Sequence, residues 1–284
     1  MRFKKIYLEI SNVCNLDCSF CHKTKRSPRI MKRDELELIL RKIRPYTEYL
    51  YFHLMGEPLC HPDLEHFLSL AEKYAFKVII TTNGVLLNEK KDILFSSPAL
   101  HKINVSLHAF EANDLPIPFE KYLEGCFDFG KQASAKTNKI VVYRLWNRGG
   151  EDRLNEDILK TLSSCFGDVS HKETDTRRGT RLCERVFLEH GDKFDWPDMD
   201  ATDNGSEVFC YGLRDQLGIL CDGTVVPCCL DSDGNIALGN IFDSELEEII
   251  TSKRATAIYD GFSKRYAAEE LCRRCGYAKR FRQK

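Results

Sequence analysis

Short apolar runs alternate with longer amphipathic segments along the first 170 residues of the chain. Runs rich in Ile, Val, Tyr and Phe predict five strands, at Ile6–Ile10, Tyr49–Leu54, Lys77–Thr81, Lys102–Leu107 and Lys139–Leu145. Apolar residues recurring every three or four positions predict helices between them, at Arg33–Arg44, Asp63–Tyr74, Lys90–Phe95, Phe119–Ala135 and Asn155–Phe166. Repeated strand–helix units predict an α/β fold whose parallel strands form a closed or partly closed sheet.

The pattern changes after about residue 205. Gln216–Cys221 and Val225–Pro227 flank an Asp-Gly turn and predict a hairpin, and a helix is predicted over Glu245–Ser252. We therefore expect two domains, 1–205 and 206–284, with 167–205 as a connector. The acidic and aromatic run Asp192–Asp198 could cross the barrel mouth, but the connector is the favoured interpretation.

Composition limits the function classes. The net charge of the 284 residues is −1, which favours neither nucleic-acid nor membrane binding. No targeting segment and no run of 18 apolar residues is present, so we expect a cytoplasmic protein. In a reducing compartment, clusters among the 13 cysteines favour metal binding over disulfides.

Three of these cysteines follow the first predicted strand. Cys14, Cys18 and Cys21 have the spacing Cys-x-x-x-Cys-x-x-Cys. Cysteine thiolates are the usual ligands of a 4Fe-4S cluster, so three ligands leave one iron open to a small molecule. Phe20 could pack its ring against that molecule. A zinc loop, with His22 as the fourth ligand, is the alternative.

This spacing, with Phe20, resembles the radical S-adenosylmethionine (SAM) superfamily. The resemblance implies a partial (β/α)6 barrel, related to TIM barrels, with functional residues at the carboxyl ends of the strands. It also implies that the open iron chelates the amino and carboxylate groups of S-adenosylmethionine. One electron then cleaves this cofactor to methionine and a 5′-deoxyadenosyl radical.

Polar residues follow the second, third and fourth strands. Met55-Gly56-Glu57-Pro58 resembles the family's Gly-Gly-Glu-Pro motif, in which the acidic residue and nearby backbone receive the methionine amino group. Asn83, in a turn sequence, could face the cofactor, although turn chemistry alone would explain it. Ser106 resembles the family's ribose-contacting position.

Two further side chains are candidates inside the barrel. His108 could transfer a proton near the substrate, or it could be a hydrogen-bonded interior histidine. A buried Arg144 requires an anion. The cofactor carboxylate is the favoured partner, and a barrel carboxylate is the alternative.

The last third of the chain predicts a second metal site. The Asp-Gly-x-Val-x-Pro-Cys run, ending at Cys228, resembles the SPASM and Twitch extensions of radical SAM enzymes. That resemblance implies an auxiliary 4Fe-4S cluster held by Cys210, Cys228, Cys272 and Cys275, and one cluster fits Twitch better than SPASM. Cys221 and Cys229 are surplus thiols that could replace a ligand, and a zinc site is the alternative. Four other cysteines are interpreted as packing residues: Cys60, Cys126, Cys165 and Cys183.

The predicted function is a radical SAM oxidoreductase or maturase-type enzyme. It abstracts hydrogen from a small molecule or a peptide, and its auxiliary cluster takes or gives an electron. The chain begins at the first predicted strand, whereas many peptide-modifying members have a preceding leader-binding extension, which modestly favours a small molecule. Basic segments at Lys23–Arg33 and Arg273–Lys284 could dock an acidic electron donor of the flavodoxin or ferredoxin type. The alternative is a non-catalytic protein, stabilised by zinc or iron–sulfur, that binds RNA or protein.

Overall fold

A computed structural model describes residues 3–169, 174–175 and 179–281, with no side chains for 174–175. Its strands are β1 (Lys5–Leu8), β2 (Tyr49–Tyr51), β3 (Lys77–Thr82), β4 (Leu100–Ser106), β5 (Ile140–Arg148), β6 (Thr174–Asp175), β7 (Gly179–Cys183), β8 (Val186–Asp192), β9 (Gln216–Ile219), β10 (Thr224–Val226) and β11 (Gly239–Asn240). They form one sheet in the order β11-β10-β9-β1-β2-β3-β4-β5-β8-β7-β6. The adjacent strands β1 to β5 and β8 pair in parallel. These six strands confirm the predicted partial barrel.

Five helices connect the barrel strands, and three more lie near the carboxyl end. They are α1 (Arg33–Ile43), α2 (Leu64–Lys73), α3 (Lys91–Ser96), α4 (Phe119–Lys136), α5 (Asn155–Phe166), α6 (Leu246–Ile250), α7 (Lys253–Ser263) and α8 (Glu270–Arg273). Helix α1 shows why the periodic segments fold this way. Glu35 in its first turn accepts from the backbone of Lys32, and all four residues of its predicted apolar face are buried. The bounds of α1 to α5 differ from the predicted ones by at most one residue.

The sixth barrel strand lies in the segment that was predicted to be a connector. Val186–Asp192 pairs in parallel with β5, with Arg144 opposite Glu189. Only three apolar residues in a row, Val186 to Leu188, signal this strand, and His190 and Gly191 then break the pattern. Parts of the same segment, 170–173 and 176–178, lie outside the described residues.

The predicted hairpin extends the barrel sheet. Strand β9 pairs in parallel with β1, from Lys5 opposite Gln216 to Leu8 opposite Ile219, and antiparallel with β10. The residues that carry the second group of cysteines are therefore continuous with the barrel through backbone hydrogen bonds. The division at residue 205 remains a prediction.

None of the described helices is both long enough and apolar enough to cross a membrane. The basic carboxyl-terminal segment is described only as far as Phe281, so residues 282–284 lie outside the described chain.

Candidate active site

The three amino-terminal cysteines lie on the loop between β1 and α1. Cys14 is exposed, while Cys18 and Cys21 are half-buried. The amide of Asn113 donates to the sulfur of Cys18 at 3.1 Å, and the backbone N–H of Cys21 donates to the carbonyl of Cys18 at 3.1 Å. Hydrogen bonds thus shape the loop while leaving its thiols accessible for metal binding.

Gly56 forms a cradle for the first part of this loop. Its φ is +74°, in the left-handed region that favours glycine. A Cβ at this position would clash with the carbonyl oxygen of Ser11 and lie 2.8 Å from that of Val13. The next backbone N–H, of Glu57, donates to the same Val13 oxygen at 2.9 Å. The Gly-Glu pair therefore positions the backbone that leads into Cys14.

The side chain of Glu57 is buried beside the loop, with 2% of its surface exposed. One carboxylate oxygen accepts from the N–H of Leu59 at 3.0 Å, and the other accepts from the N–H of Asn83 at 2.8 Å. Burial raises the pKa of Glu57 to about 7, against the lowering effect of these backbone donors. The carboxylate thus links the turn after β2 to the turn after β3 through hydrogen bonds. A role of Glu57 in binding the methionine amino group remains a prediction.

Asn83 and Cys60 also contact the cysteine loop. The amide of Asn83 donates to the side chain of Asn15 at 2.8 Å and lies 4.0 Å from the sulfur of Cys14. Cys60, which the sequence pattern predicts to be a packing residue, lies close enough to the loop that its charge adds to the effect of burial in raising the pKa of Cys14. No sequence pattern indicates this proximity, because Cys60 is 39 residues from Cys21.

A cavity of about 430 Å³ lies next to the loop, inside the barrel. Four predicted residues line it: Phe20, Ser106, His108 and Arg144. Gly56, Glu57 and Asn83 are not among its lining residues and instead support the cysteine loop, as described above. The structure thus separates the predicted cofactor residues into a cavity group and a loop-supporting group.

His108 follows β4 and faces Phe20. The two ring centroids are 4.9 Å apart, and His108 Nδ1 lies 3.1 Å from the carbonyl oxygen of Arg144. This contact requires a hydrogen on Nδ1, because a carbonyl only accepts. It is shorter than the 3.5 Å contact from the backbone N–H of Trp146 to the same nitrogen, which would need the opposite tautomer, so we assign the hydrogen to Nδ1 and leave Nε2 as the acceptor. Burial lowers the pKa of His108, which favours this neutral form.

Arg144 forms an ion pair with a carboxylate inside the barrel. Its Nε donates to Glu189 at 3.2 Å, and its guanidinium lies 4.5 Å from the centroid of the Trp146 ring. The barrel carboxylate, which was the alternative partner, is therefore the one observed. Glu189 was missed because it belongs to β8, the strand that the sequence pattern did not predict.

The aromatic run after β8 crosses the barrel mouth. Phe194 and Trp196 line the cavity, and Trp196 Nε1 donates to the carbonyl oxygen of Phe20 at 3.1 Å. The ring of Trp196 also stacks on His22, with centroids 5.9 Å apart. The favoured connector interpretation of Asp192–Asp198 is therefore wrong, because its aromatic side chains pack onto the cysteine loop.

The four carboxyl-terminal cysteines lie near one another in the wall of the same cavity. Cys210, Cys228, Cys272 and Cys275 all line it. Burial raises the pKa of Cys228, and the thiolates of Cys210, Cys272 and Cys275 raise it further, because they lie nearby. Among the described side chains, no three His, Cys, Asp or Glu residues surround a single metal ion.

The two surplus cysteines differ in position. Cys229 also lines the cavity, and its charge helps to raise the pKa of Cys228 and of Cys210. Cys229 shares a hydrogen bond with Tyr7 and lies near Lys5, inside the barrel. Cys221 is buried against the Glu9–Arg26 pair, with its sulfur 3.8 Å from Arg26 Nη1. Cys228 and Cys229 both follow the end of β10 at Val226 and line the same cavity, and each of them lies near Cys210 and Cys275.

The chain is similar to two known protein families. The family model described as "Radical SAM superfamily" matches residues 8–144, and the one described as "SPASM: Iron-sulfur cluster-binding domain" matches residues 210–276. The first match contains the loop cysteines, and the second contains the four carboxyl-terminal ones.

Curated relatives match mainly the barrel. A probable GTP 3′,8-cyclase of Methanococcus maripaludis is 30% identical over 128 residues, 44% of this chain and 41% of that protein. A tungsten-containing aldehyde ferredoxin oxidoreductase cofactor-modifying protein of Pyrococcus furiosus is 30% identical over 146 residues, 50% of this chain and 39% of that protein. The chain thus spans about two fifths of the length of these relatives.

Solved structures match almost the whole fold. SuiB of Streptococcus suis, bound to the precursor peptide SuiA, has a TM-score of 0.62 at 18% identity and covers 98% of this chain and 71% of its own. anSMEcpe with bound AdoMet has a TM-score of 0.60 at 16% identity and covers 96% and 89%. At these identities the likeness establishes the fold.

Proposed function

Because the chain belongs to the radical SAM superfamily and carries a SPASM iron–sulfur domain, we propose that it cleaves S-adenosylmethionine reductively and uses the product radical to abstract hydrogen from a substrate. The observation that carries this proposal is one cavity that is lined by Ser19 and Phe20 of the three-cysteine loop and by the four carboxyl-terminal cysteines. The alternative, a non-catalytic RNA- or protein-binding protein, is not favoured by either family match.

The residues present fit the cofactors that these families imply. Three thiols on an accessible loop suit a 4Fe-4S cluster with one open iron. Gly56 holds that loop where a larger residue would displace it. When bound there, the cluster and S-adenosylmethionine supply the hard chemistry, a one-electron cleavage that gives methionine and a 5′-deoxyadenosyl radical.

The chain's own residues would position the cofactor and shield the reaction. Cys14, Cys18 and Cys21 would hold the cluster, and Phe20 and Ser106 would border the cofactor from the cavity wall. Glu57 and Asn83 would fix the loop and offer polar groups beside it. Trp196 would help to exclude water at the mouth, since its indole is bonded to the cysteine loop.

His108 is the proposed proton-transfer residue. Its Nδ1 is held by the Arg144 carbonyl, which leaves Nε2 as the basic nitrogen. A neutral imidazole in a cavity can accept a proton that an oxidised substrate loses. Arg144 is engaged with Glu189, and its remaining guanidinium nitrogens could still face a carboxylate of the cofactor or the substrate.

The second cysteine group would hold an auxiliary 4Fe-4S cluster. Cys210, Cys228, Cys272 and Cys275 supply the four thiolates of a fully ligated cluster, which suits electron transfer to or from the substrate. The net reaction would then be an oxidation or a maturation-type modification.

The substrate is proposed to be a small molecule or a single residue of a peptide. A volume of about 430 Å³ is in the range of small-molecule sites. A peptide finds support in SuiB, which is described with a bound precursor peptide. A flavodoxin- or ferredoxin-type protein remains the proposed electron donor. The basic segment Lys23–Arg33 is a weak argument for its docking, because four of its cations pair with carboxylates of this chain.

Paired cysteine variants test the proposal. We expect Cys18→Ala to abolish 5′-deoxyadenosine formation from S-adenosylmethionine and dithionite, and Cys60→Ala to retain it. Unchanged cleavage by the Cys18 variant would refute the proposed function of the loop.

A further inference from the structure

The inner face of the barrel carries more positive than negative charge. Lys5 of β1, Lys102 of β4 and Arg144 of β5 project into it, and Glu189 of β8 is their carboxylate partner. Glu189 lies 3.2 Å from Arg144 Nε and 3.6 Å from Lys102 Nζ. Lys5 and Arg144 each help to lower the pKa of Lys102, because the three cations lie close together. Glu189 therefore pairs with two of the three cations, Lys102 and Arg144.

Lys5 is the cation without a carboxylate among the described residues. Its ammonium lies 5.1 Å from the ring centroids of both Tyr7 and Tyr51. Asp215, a nearby acid, instead pairs with Lys4 at 2.7 Å. Burial lowers the pKa of Lys5 and the Arg144 charge lowers it further, while the negative charges of the Cys229 thiolate and of Asp215 act in the opposite direction. An ammonium held between two aromatic rings is attracted to them but gains no hydrogen-bond acceptor from them.

Two polar atoms in the cavity wall lack partners. His53 Nδ1 and Trp146 Nε1 are buried and form no hydrogen bond with any described residue. Both side chains line the cavity together with Lys5 and Arg144. Buried polar atoms are nearly always bonded, so an indole N–H without a partner, on the ring that packs against Arg144, indicates that an acceptor belongs there.

The rest of the cavity is mainly apolar. Leu54, Phe194, Ile236 and Tyr277 line it along with the aromatic residues named above. An apolar enclosure increases the strength of charge–charge interactions and excludes ligands whose charge has no partner.

We propose that the substrate carries an anionic group, a carboxylate or a phosphate, which binds against Lys5 and Arg144 while its apolar part fills the remaining cavity. This inference rests on the proposed function, because it assigns the substrate class of the same site. Lys5 is the residue on which it depends, since Arg144 already has Glu189 and could also meet the cofactor carboxylate.

The test compares charged and neutral probes on the reconstituted, unreduced holoprotein saturated with S-adenosylmethionine. Anaerobic isothermal titration calorimetry would measure the affinity of 3-phenylpropionate, phenyl phosphate and the neutral 3-phenylpropionamide. We expect at least one anion to bind about tenfold or more tightly than the amide, as charge-assisted hydrogen bonds allow. The better anion identifies the group as carboxylate or phosphate.

Three lysine variants test whether Lys5 is responsible for the preference for an anion. Lys5→Met should remove the preference for the anion, and Lys5→Arg should keep it. Lys4→Met is the matched control, because Lys4 is adjacent in sequence but has a 76% exposed side chain paired with Asp215. It should bind all three probes as the wild type does.

Equal affinity of the wild type for both anions and the amide, or a preference for an anion that survives in Lys5→Met, would overturn the inference. If Lys5→Met does not fold, the inference is still tested by two results. They are the preference of the wild type for an anion over the amide and the retention of that preference in Lys5→Arg. Cleavage of S-adenosylmethionine by the same wild-type preparation is measured separately. Absent cleavage with an intact anion preference would refute the proposed function alone, and cleavage without the preference would refute this inference alone.

Discussion

Arg26 donates through one guanidinium nitrogen to both carboxylate oxygens of Glu9, at 2.6 and 2.7 Å. Glu9 is fully buried at the end of β1, and it also accepts from the backbone N–H of Cys221 at 3.0 Å. Arg26 itself lies on the loop that contains the cysteines and reaches the carbonyl of Ser232 at 2.8 Å. One ion pair thus joins the cysteine loop, the first barrel strand and the carboxyl-terminal hairpin.

Removing this pair should destabilise the protein. Arg26→Met leaves the Glu9 carboxylate buried without its cation, and such a loss costs about 3–5 kcal/mol. We expect a lower urea midpoint and less iron retained after desalting. Arg33→Met is the control, because Arg33 forms a solvent-exposed pair with Asp63 that should contribute nothing measurable. Equal midpoints for the two variants would contradict the structural role of Arg26.

Gly56→Ala should disrupt the cysteine loop. The added Cβ would meet the carbonyl oxygens of Ser11 and Val13, so the backbone leading to Cys14 must move. We expect a loss of about four irons per chain, one cubane, and of S-adenosylmethionine cleavage. Gly149→Ala is the control for backbone strain without a steric clash. Gly149 has a φ of +80°, but no atom lies within 4 Å of the added Cβ. Full iron content in Gly56→Ala would show that the cradle is unnecessary.

His53 should make stability depend on pH. Burial and the nearby cations Arg144 and Lys5 lower the pKa of His53 from 6.5 to about 3 in the folded protein. Below pH 6.5 the unfolded chain binds a proton that the folded chain does not, so stability falls as the pH drops from 6.5 toward 3. At pH 5.0 this loss is about 2 kcal/mol, at about 1.4 kcal/mol per pH unit.

Urea unfolding at pH 7.5 and 5.0 tests this contribution. His53→Phe should lose less stability than the wild type between the two pH values, whatever its stability at pH 7.5. Identical losses in both proteins would show that His53 does not titrate in this way.

Cys228→Ser and Cys229→Ser form a matched pair for the auxiliary site. Cys228 lies near Cys210, Cys272 and Cys275, whereas Cys229 lies near Cys210 and Cys275 but also contacts Tyr7 and Lys5. We expect the Cys228 variant to lose about four irons per chain and the Cys229 variant to keep them, as measured by iron and sulfide analysis. The reverse result would assign the ligand to Cys229.

The sequence was most informative where the signal is local. Strands β1 to β5 and helices α1 to α5 follow from apolar runs and periodicity, and the cysteine loop follows from spacing within eight residues. Strand β8 could not be predicted, because only Val186, Phe187 and Leu188 form an apolar run before Glu189.

Pairings between distant residues could not be predicted. The partner of Arg144 lies 45 residues away on β8, and the contact between Trp196 and Phe20 spans 176 residues. The motif around Glu57 indicates a position near the cysteine loop, but its residue types do not reveal that the carboxylate is buried and bonded to two backbone amides. Such features depend on which strands become neighbours, and single-sequence patterns do not contain that information.

The most direct test of the central claim is anaerobic reconstitution followed by reduction with dithionite in the presence of S-adenosylmethionine. Iron, sulfide and zinc per chain and 5′-deoxyadenosine would be measured on one preparation. We expect about eight irons, as two cubanes require, together with 5′-deoxyadenosine. Zinc alone with no cleavage of the cofactor would contradict the account.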